Sequence, residues 1–318
     1  VFEDPALEST WRPENYSGKV FGPKRLREAL VNSRNLVSIR LLNQVGIRFN
    51  IDYLMRFGFR RESLPRDLSL ALGSAAITPL ELVTGYAAFA NGGYKITPHF
   101  IDRIESPQGE TLYQANPATV CVDCEQNPQQ TTNNVEQTEM AEQAVVEAEP
   151  EVVAEALPVE GGESVAPVPL PLPVAKRIVS PQNVYIMNTI MRDVIQRGTG
   201  RRALQLGRND LAGKTGTTND QRDAWFSGFN PEVVTTAWVG FDTPKTLGDR
   251  ETGGRAALPM WIDYMREALK GLPQRPHKQP PGLVTVRIDK KEGKLVGANH
   301  ADGIFEIFRA DRVPERME

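Results

Sequence analysis

Between Arg103 and Lys176 the chain carries no lysine or arginine, and from about Ala115 to Leu172 eleven acidic residues and several glutamines replace the apolar periodicity found on either side. Such a composition cannot bury enough apolar surface to offset the entropy of ordering it. Its far end, Val165 to Val174, alternates proline with small apolar residues and reads as extended polyproline II. We therefore expect 115–174 to be a disordered insertion. The fold has to be assembled from two flanks, a helical part over 1–114 and a sheet part over 175–272, with 273–318 as a linker and hairpin extension.

The flanks have the material for this, since 40% of the 318 residues are hydrophobic. A formal charge of −3 gives no basic field of the kind that drives sequence-independent nucleic-acid binding, so no nucleic-acid partner is expected. No apolar run is long enough to span a bilayer, and Val1 to Pro13 has neither the charged head nor the apolar stretch of a signal peptide. Residue 1 is read as internal to a longer protein. Cys121 and Cys124 form a lone CxxC, which offers two ligands where a structural zinc needs four. They read as an incidental or locally disulfide-bonded pair, and neither a metal nor a cofactor is expected.

In the first flank the spacing predicts helices over Pro23–Asn32, Leu36–Val45 and Ile51–Phe57, the last capped by Asn50. Thr78-Pro79-Leu80-Glu81 is a capping box with proline at the first helical position, opening a helix to about Ala90. Ser180-Pro181 opens another, which should bury Val184, Met187, Met191 and Val194 and end at Gly198 and Gly200. The pattern then changes to strands at Leu211–Thr217, Ala224–Phe229 and Val233–Phe241, an antiparallel meander whose second connection is Asn230-Pro231-Glu232. Gly282–Asp289 and Lys294–Val296 look like a further hairpin. Trp225, Trp238 and Trp261 read as core. Helices followed by antiparallel strands make an α+β fold, with the sheet packed against helices.

Two short strings could carry chemistry. In Lys214-Thr215-Gly216-Thr217 a cation stands beside two hydroxyls and a glycine, a set suited to binding an anion, and the Thr217 N–H could stabilise an oxyanion. Ser33-Arg34-Asn35, between two helices, could present a hydroxyl and an amide to a cleft. Each also has an ordinary use: a solvated strand start for Lys214, the end of a helix for Ser33 and a helix cap for Asn35.

Taken together and in order, the strings become specific. Trp11-Arg12-Pro13-Glu14-Asn15, Ser33-Arg34-Asn35 after Arg25-Leu26-Arg27-Glu28-Ala29-Leu30, Thr78-Pro79-Leu80-Glu81 with Ala90-Asn91-Gly92-Gly93, Gly198-Thr199-Gly200, and Gly213 to Thr218 with Asp223-Ala224-Trp225-Phe226 resemble the transpeptidase domain of class A, bifunctional penicillin-binding proteins. The resemblance continues weakly through Thr252-Gly253-Gly254 and Pro259-Met260-Trp261. It implies the penicillin-binding/β-lactamase-like transpeptidase fold, incomplete here at its N-terminal side. It implies acyl transfer on a peptidoglycan stem peptide, with β-lactam antibiotics acylating the same serine. By this resemblance Ser33 relays a proton, Lys214 holds the charge network beside it, and Asn35 hydrogen-bonds the donor peptide. Thr215 and Thr217 hold the substrate carboxylate, and Gly216 permits close approach. The family's place is the cell envelope, at the outer face of the bacterial cytoplasmic membrane, and the acidic insertion leaves room for a regulatory protein partner.

One element departs from the pattern, because no serine of this sequence is followed by lysine three positions later. The acylating SxxK is expected on a segment preceding Val1, together with a membrane anchor, and the 318 residues alone are expected to be inactive. A non-catalytic scaffold of the same fold, binding peptides or partners through the same cleft, is the alternative. A β-lactamase or carboxypeptidase matches the neighbourhoods of Trp225 and Thr199 less well.

Overall fold

The alternation after Asp210 becomes three antiparallel strands, β3 (Ala212–Thr217), β4 (Ala224–Phe229) and β5 (Val234–Val239), in the order β3-β4-β5. They belong to a computed structural model that describes residues 11–122 and 173–317 and contains two compact units, 1–95 with 177–318 and 96–176. The described part of the smaller unit contains a hairpin of β1 (Arg103–Glu105) and β2 (Thr111–Gln114), followed by a disulfide-bonded Cys121. Cys124, most of the expected insertion and nearly all of its proline-rich end lie outside the described residues.

In the larger unit, side chains on successive strand positions leave the sheet on opposite faces. Phe226, Ala224 and Ala237 fall on one face and pack on Trp261, Ile262 and Met265 of the helix Leu258–Ala268. Phe226 and Trp261 are fully buried, their rings edge-on at 4.9 Å, and the indole N–H donates to the Thr235 carbonyl at 3.1 Å. Burying two such rings contributes roughly 1.5–3 kcal/mol each. Ala212 and Phe229 leave the other face and meet Ala90 and Met191. These belong to α4 (Pro79–Ala90) and α5 (Pro181–Arg197), so the sheet lies between helices on both sides. Asn230 shapes the β4–β5 turn by accepting the N–H groups of Glu232 and Val233 at 3.1 and 2.8 Å.

Three shorter helices complete the first flank: α1 (Leu26–Val31), α2 (Asn35–Val45) and α3 (Ile47–Arg56). The capping box of α4 forms with both of its reciprocal bonds, and Ser180 caps α5 by accepting the Asn183 N–H. The helix Leu258–Ala268 is α6, and the chain closes on a hairpin of β6 (Leu283–Asp289) and β7 (Gly303–Arg309).

Several boundaries differ from expectation for identifiable reasons. α1 is shorter because Arg25, at its N-cap, is still extended, with ψ at 145°. α3 begins at Ile47 and holds Asn50 inside it; Gly46, at φ 95°, makes the corner from α2 and leaves no need for a side-chain cap. Met187 is only partly buried on α5, while Asn188, Ile190 and Ile195 are buried. The expected pairing with 294–296 forms only at the end of β6, where Ile288 bridges Leu295 and the Asp289 and Val296 N–H groups donate to Lys294 and Arg287, whereas the whole strand pairs with β7. The expected turn does form, since Asp289 accepts the N–H groups of Lys291 and Glu292, but the strand that completes the ladder is the Ile304–Phe308 run beyond it. Two of the three expected core tryptophans are not core: Trp238 is 36% exposed and Trp225 half-buried, their rings tilted against each other with centroids at 5.8 Å.

Candidate active site

Ser33 occupies the turn between α1 and α2. Its N–H donates to the Leu30 carbonyl at 3.1 Å and the next N–H, of Arg34, to Ala29 at 2.8 Å, the doubly bonded helix ending that normally has glycine at its left-handed position. Here the residue is serine at φ 51°, a conformation that disfavours a side chain by roughly 1–2 kcal/mol. A non-glycine residue held this way is a mark of functional positions. Its hydroxyl accepts a hydrogen bond from Lys214 Nζ at 2.9 Å, and the same ammonium donates to the Thr215 carbonyl at 2.9 Å. Lys214 is half-buried on β3, and burial pushes its ammonium down from 10.5 to about 8.

α5 brings these two residues together. It packs on β3 along one side, and its last turn meets the end of α1. A Cβ at Gly198 would stand 2.5 Å from the Val31 carbonyl oxygen, so glycine is required where the two helix ends touch. Thr199 follows, and its Oγ1 lies 2.7 Å from Thr215 Oγ1. On the same face the Gly253 N–H donates to Thr217 Oγ1 at 3.0 Å. A Cβ on Gly253 would fall 2.3 Å from the carbonyl oxygens of Gly216 and Trp225, so the Thr252-Gly253-Gly254 segment lies directly on the strand end. Gly216 is closed from the β4 side, where Trp225 Cβ would meet an added Cβ at 3.0 Å. Beyond Thr217 the loop is tied by Asp223, whose N–H donates to Thr218 Oγ1 at 2.7 Å and whose Oδ1 accepts the Trp238 indole N–H at 2.9 Å.

Of the residues singled out in the sequence, Ser33, Lys214 and Thr215 are directly hydrogen-bonded together, and Thr217 is linked through Gly253 to the same strand end. Asn35 stands apart. It is the first residue of α2 and does not cap it, and its Nδ2 donates to the Glu14 carbonyl at 2.9 Å. Among the described residues no hydrogen bond joins it to Ser33 or Lys214. The buried Asn15 reaches the same place, with its Oδ1 accepting the Leu36 N–H at 3.4 Å, so the Trp11–Asn15 segment is docked against the start of α2. Arg34, between Ser33 and Asn35, is stacked on the Phe21 ring at 3.7 Å. Thr199 and Gly253 were not named as site residues from sequence. Their signal was a hydroxyl or a bare N–H within the Gly-Thr-Gly and Thr-Gly-Gly strings, whose glycines the close packing explains.

A lysine whose ammonium is partly desolvated against a serine hydroxyl can pass a proton to or from that hydroxyl or hold a charge beside it. The hydroxyls of Thr215 and Thr217 lie on the opposite face of the same strand and are of a type that can donate to a carboxylate. Among the described residues no three His, Cys, Asp or Glu side chains converge to hold a metal, and no helix is long and apolar enough to cross a membrane.

Residues 4–260 match the penicillin binding protein transpeptidase domain family. Penicillin-binding protein 1A of Pseudomonas aeruginosa is 47% identical over 314 residues, 99% of this chain and 38% of that protein. The protein of the same name in Neisseria gonorrhoeae is 40% identical over 87% of this chain and 28% of its own. The chain thus spans well under half the length of the relatives it matches. Among solved structures, penicillin-binding protein 1A of Haemophilus influenzae superposes with a TM-score of 0.80 at 33% identity, covering 100% of this chain and 44% of that one. An imipenem acyl-enzyme of penicillin-binding protein A from M. tuberculosis shares the fold at TM-score 0.53 and 21% identity, covering 82% of this chain and 52% of its own.

Proposed function

Because the chain belongs to the penicillin-binding protein transpeptidase domain family and has its α+β fold, we propose that it supplies the Ser33 and Lys214 side of a D,D-transpeptidase site in the cell envelope. In this reading the acylating serine comes from an SxxK element outside the 318 residues. Its oxygen attacks the penultimate D-alanine carbonyl of a peptidoglycan stem peptide. The C–N bond to the terminal D-alanine breaks, and the departing amine takes up a proton relayed through Ser33. An acceptor amine then displaces the serine oxygen and forms the cross-link. Thr215 and Thr217 hold the terminal carboxylate, the Thr217 N–H supplies half of an oxyanion site, and Asn35 turns to the donor peptide when one is present. A β-lactam enters by the same attack and remains as the acyl group.

The observation that carries this reading is the 2.9 Å bond from Lys214 Nζ to Ser33 Oγ, which two segments distant in sequence are shaped to make. Covalent labelling by a fluorescent penicillin tests it, comparing this chain alone with the longest natural polypeptide that contains it. Labelling confined to the longer form and lost on Lys214→Ala is the expected result. If neither form labels, the transfer reading fails. The turning of Asn35 to the Glu14 carbonyl, away from Ser33 and Lys214, favours one other reading, a scaffold that binds peptide through the same cleft without being acylated. In that case Lys214→Ala leaves partner binding intact.

A further inference from the structure

The helix that ends at Ser33 has six residues, whereas an isolated helix needs about 12–15 to persist in water. Its position is set by what grips it. At the C-terminal end the grip is the fully buried Val31, packed on Ile190 and Val194 of α5, with Gly198 against its carbonyl. At the N-terminal end it is ionic, and it comes from β7, beyond the 4–260 span that matches the family.

Glu306, with its side chain only 12% exposed, accepts from Arg25 Nη1 at 2.7 Å and from Arg27 Nε at 2.9 Å, with Arg27 Nη2 also in ion-pair contact at 2.7 Å. Arg27 continues to Asp193 at 3.1 Å and to Thr189 Oγ1 at 3.0 Å, both on α5. Asp193 in turn meets Arg197 at 3.0 Å, and that guanidinium forks onto Glu28 of α1 at 2.8 and 2.9 Å. The Arg197 bond is the main reason the Glu28 carboxyl sits below its usual range. One connected set of charges therefore joins α1, the last turns of α5 and β7. Withdrawing charges from water is unfavourable unless each is matched, and the best-attested gain from doing so is the selection of one geometry over its neighbours.

We infer that Glu306 is a positioning residue for the acyl-transfer site: through Arg25 and Arg27 it holds α1 in the placement that sets Ser33 Oγ 2.9 Å from Lys214 Nζ. The inference rests on the transfer reading above. It makes the β6–β7 hairpin a working part of the transpeptidase unit and not an appended extension. A purely stabilising role fits the arrangement less well, because the network joins the helix that delivers Ser33 to the one that delivers Thr199 and bypasses the Phe226–Trp261 core.

The test uses the longest natural polypeptide containing this chain and follows acylation by a fluorescent penicillin over a range of concentrations, well below the melting temperature. Glu306→Gln should lower the rate constant at saturating penicillin roughly 10- to 100-fold with little change in the half-saturating concentration, as expected for a catalytic group moved by about 1 Å. Glu306→Asp should recover most of the loss. Arg309→Gln, whose lost pair with Asp311 lies within the hairpin's end, should behave as the parent. A crystal structure of Glu306→Gln should show the Ser33 to Lys214 separation lengthened. A Glu306→Gln protein that melts lower yet acylates within about twofold of the parent overturns the inference. A parent that never acylates instead overturns the transfer reading, and the Ser33 to Lys214 separation in the Glu306→Gln structure then decides the positioning role by itself. Should Glu306→Gln fail to fold, Arg25→Lys keeps the charge, loses the forked geometry, and is judged by the same outcomes.

Discussion

Lys214 and Ser33 are hydrogen-bonded, yet the segments that deliver them are secured by different proportions of apolar and ionic contact. Lys214 rides on a strand whose partner, β4, is paired on both sides and backed by the fully buried Phe226 and Trp261. Ser33 follows a helix of six residues that buries only Ala29 and Val31, the latter against Ile190 and Val194 of α5, and is otherwise fixed by a left-handed backbone turn, one glycine contact and a set of ion pairs. Apolar burial is nondirectional and large, so it can define where a strand lies. A hydroxyl that must meet an ammonium within a few tenths of an ångström needs directional bonds in addition, each small and each specific. The comparison predicts that damage to the two sides separates stability from activity.

The largest effect should come from the strand side. Phe226→Ala removes the ring between sheet and α6 and should lower stability by about 3–5 kcal/mol, read as a drop in chemical-denaturation midpoint at unchanged slope. A loss below about 1 kcal/mol would mean that the sheet is not what anchors β3. Next comes the pH dependence of Lys214. Its ammonium is depressed from 10.5 to about 8, so acylation that relies on the charged form should fall as pH rises through about 8. Stability should move the other way. The folded state sheds this proton more readily than the unfolded chain does, so folding is favoured as pH rises from about 8 towards 10.5. Parallel loss of both would break the assignment. The smallest effect should be Ser33→Gly, which relieves the left-handed strain and removes the hydroxyl. Thermal melting should show stability unchanged or higher by about 1 kcal/mol while labelling is lost. A clear fall in stability would show that the Ser33 hydroxyl holds the turn more than it serves the site.

Legibility in the sequence follows the same division. The meander, the α4 capping box and the start of α5 were readable because period-two alternation and cap chemistry are local signals. The KTGT string marked its strand for the same reason. The β6–β7 pairing was missed because a turn signal at Asp289 was followed by a short apolar stretch, and a turn states where a strand stops but not which later strand it meets. Trp238 was placed inside on hydrophobicity, although its indole N–H is used at the rim by Asp223. Ser33 and Asn35 were recognisable through resemblance but not through local rules, since the left-handed turn and the tether to Glu14 depend on partners 3 and 21 positions away. Glu306, with partners more than 270 positions away, has no local signature at all.

The crowding of the KTGT strand has an evolutionary side. A methyl group added at Gly213 would stand 2.8 Å from the Phe226 ring, and one at Gly253 would collide with two backbone oxygens. On the transfer reading, a bacterial population under β-lactam selection cannot readily remodel the strand from behind, because those routes damage the fold before they alter drug chemistry. Change would then be channelled to side chains at the rim outside that packing, such as Thr199, whose hydroxyl meets Thr215 Oγ1 at 2.7 Å. On that same reading, the walls of the site would limit which resistance alleles can arise in a single step.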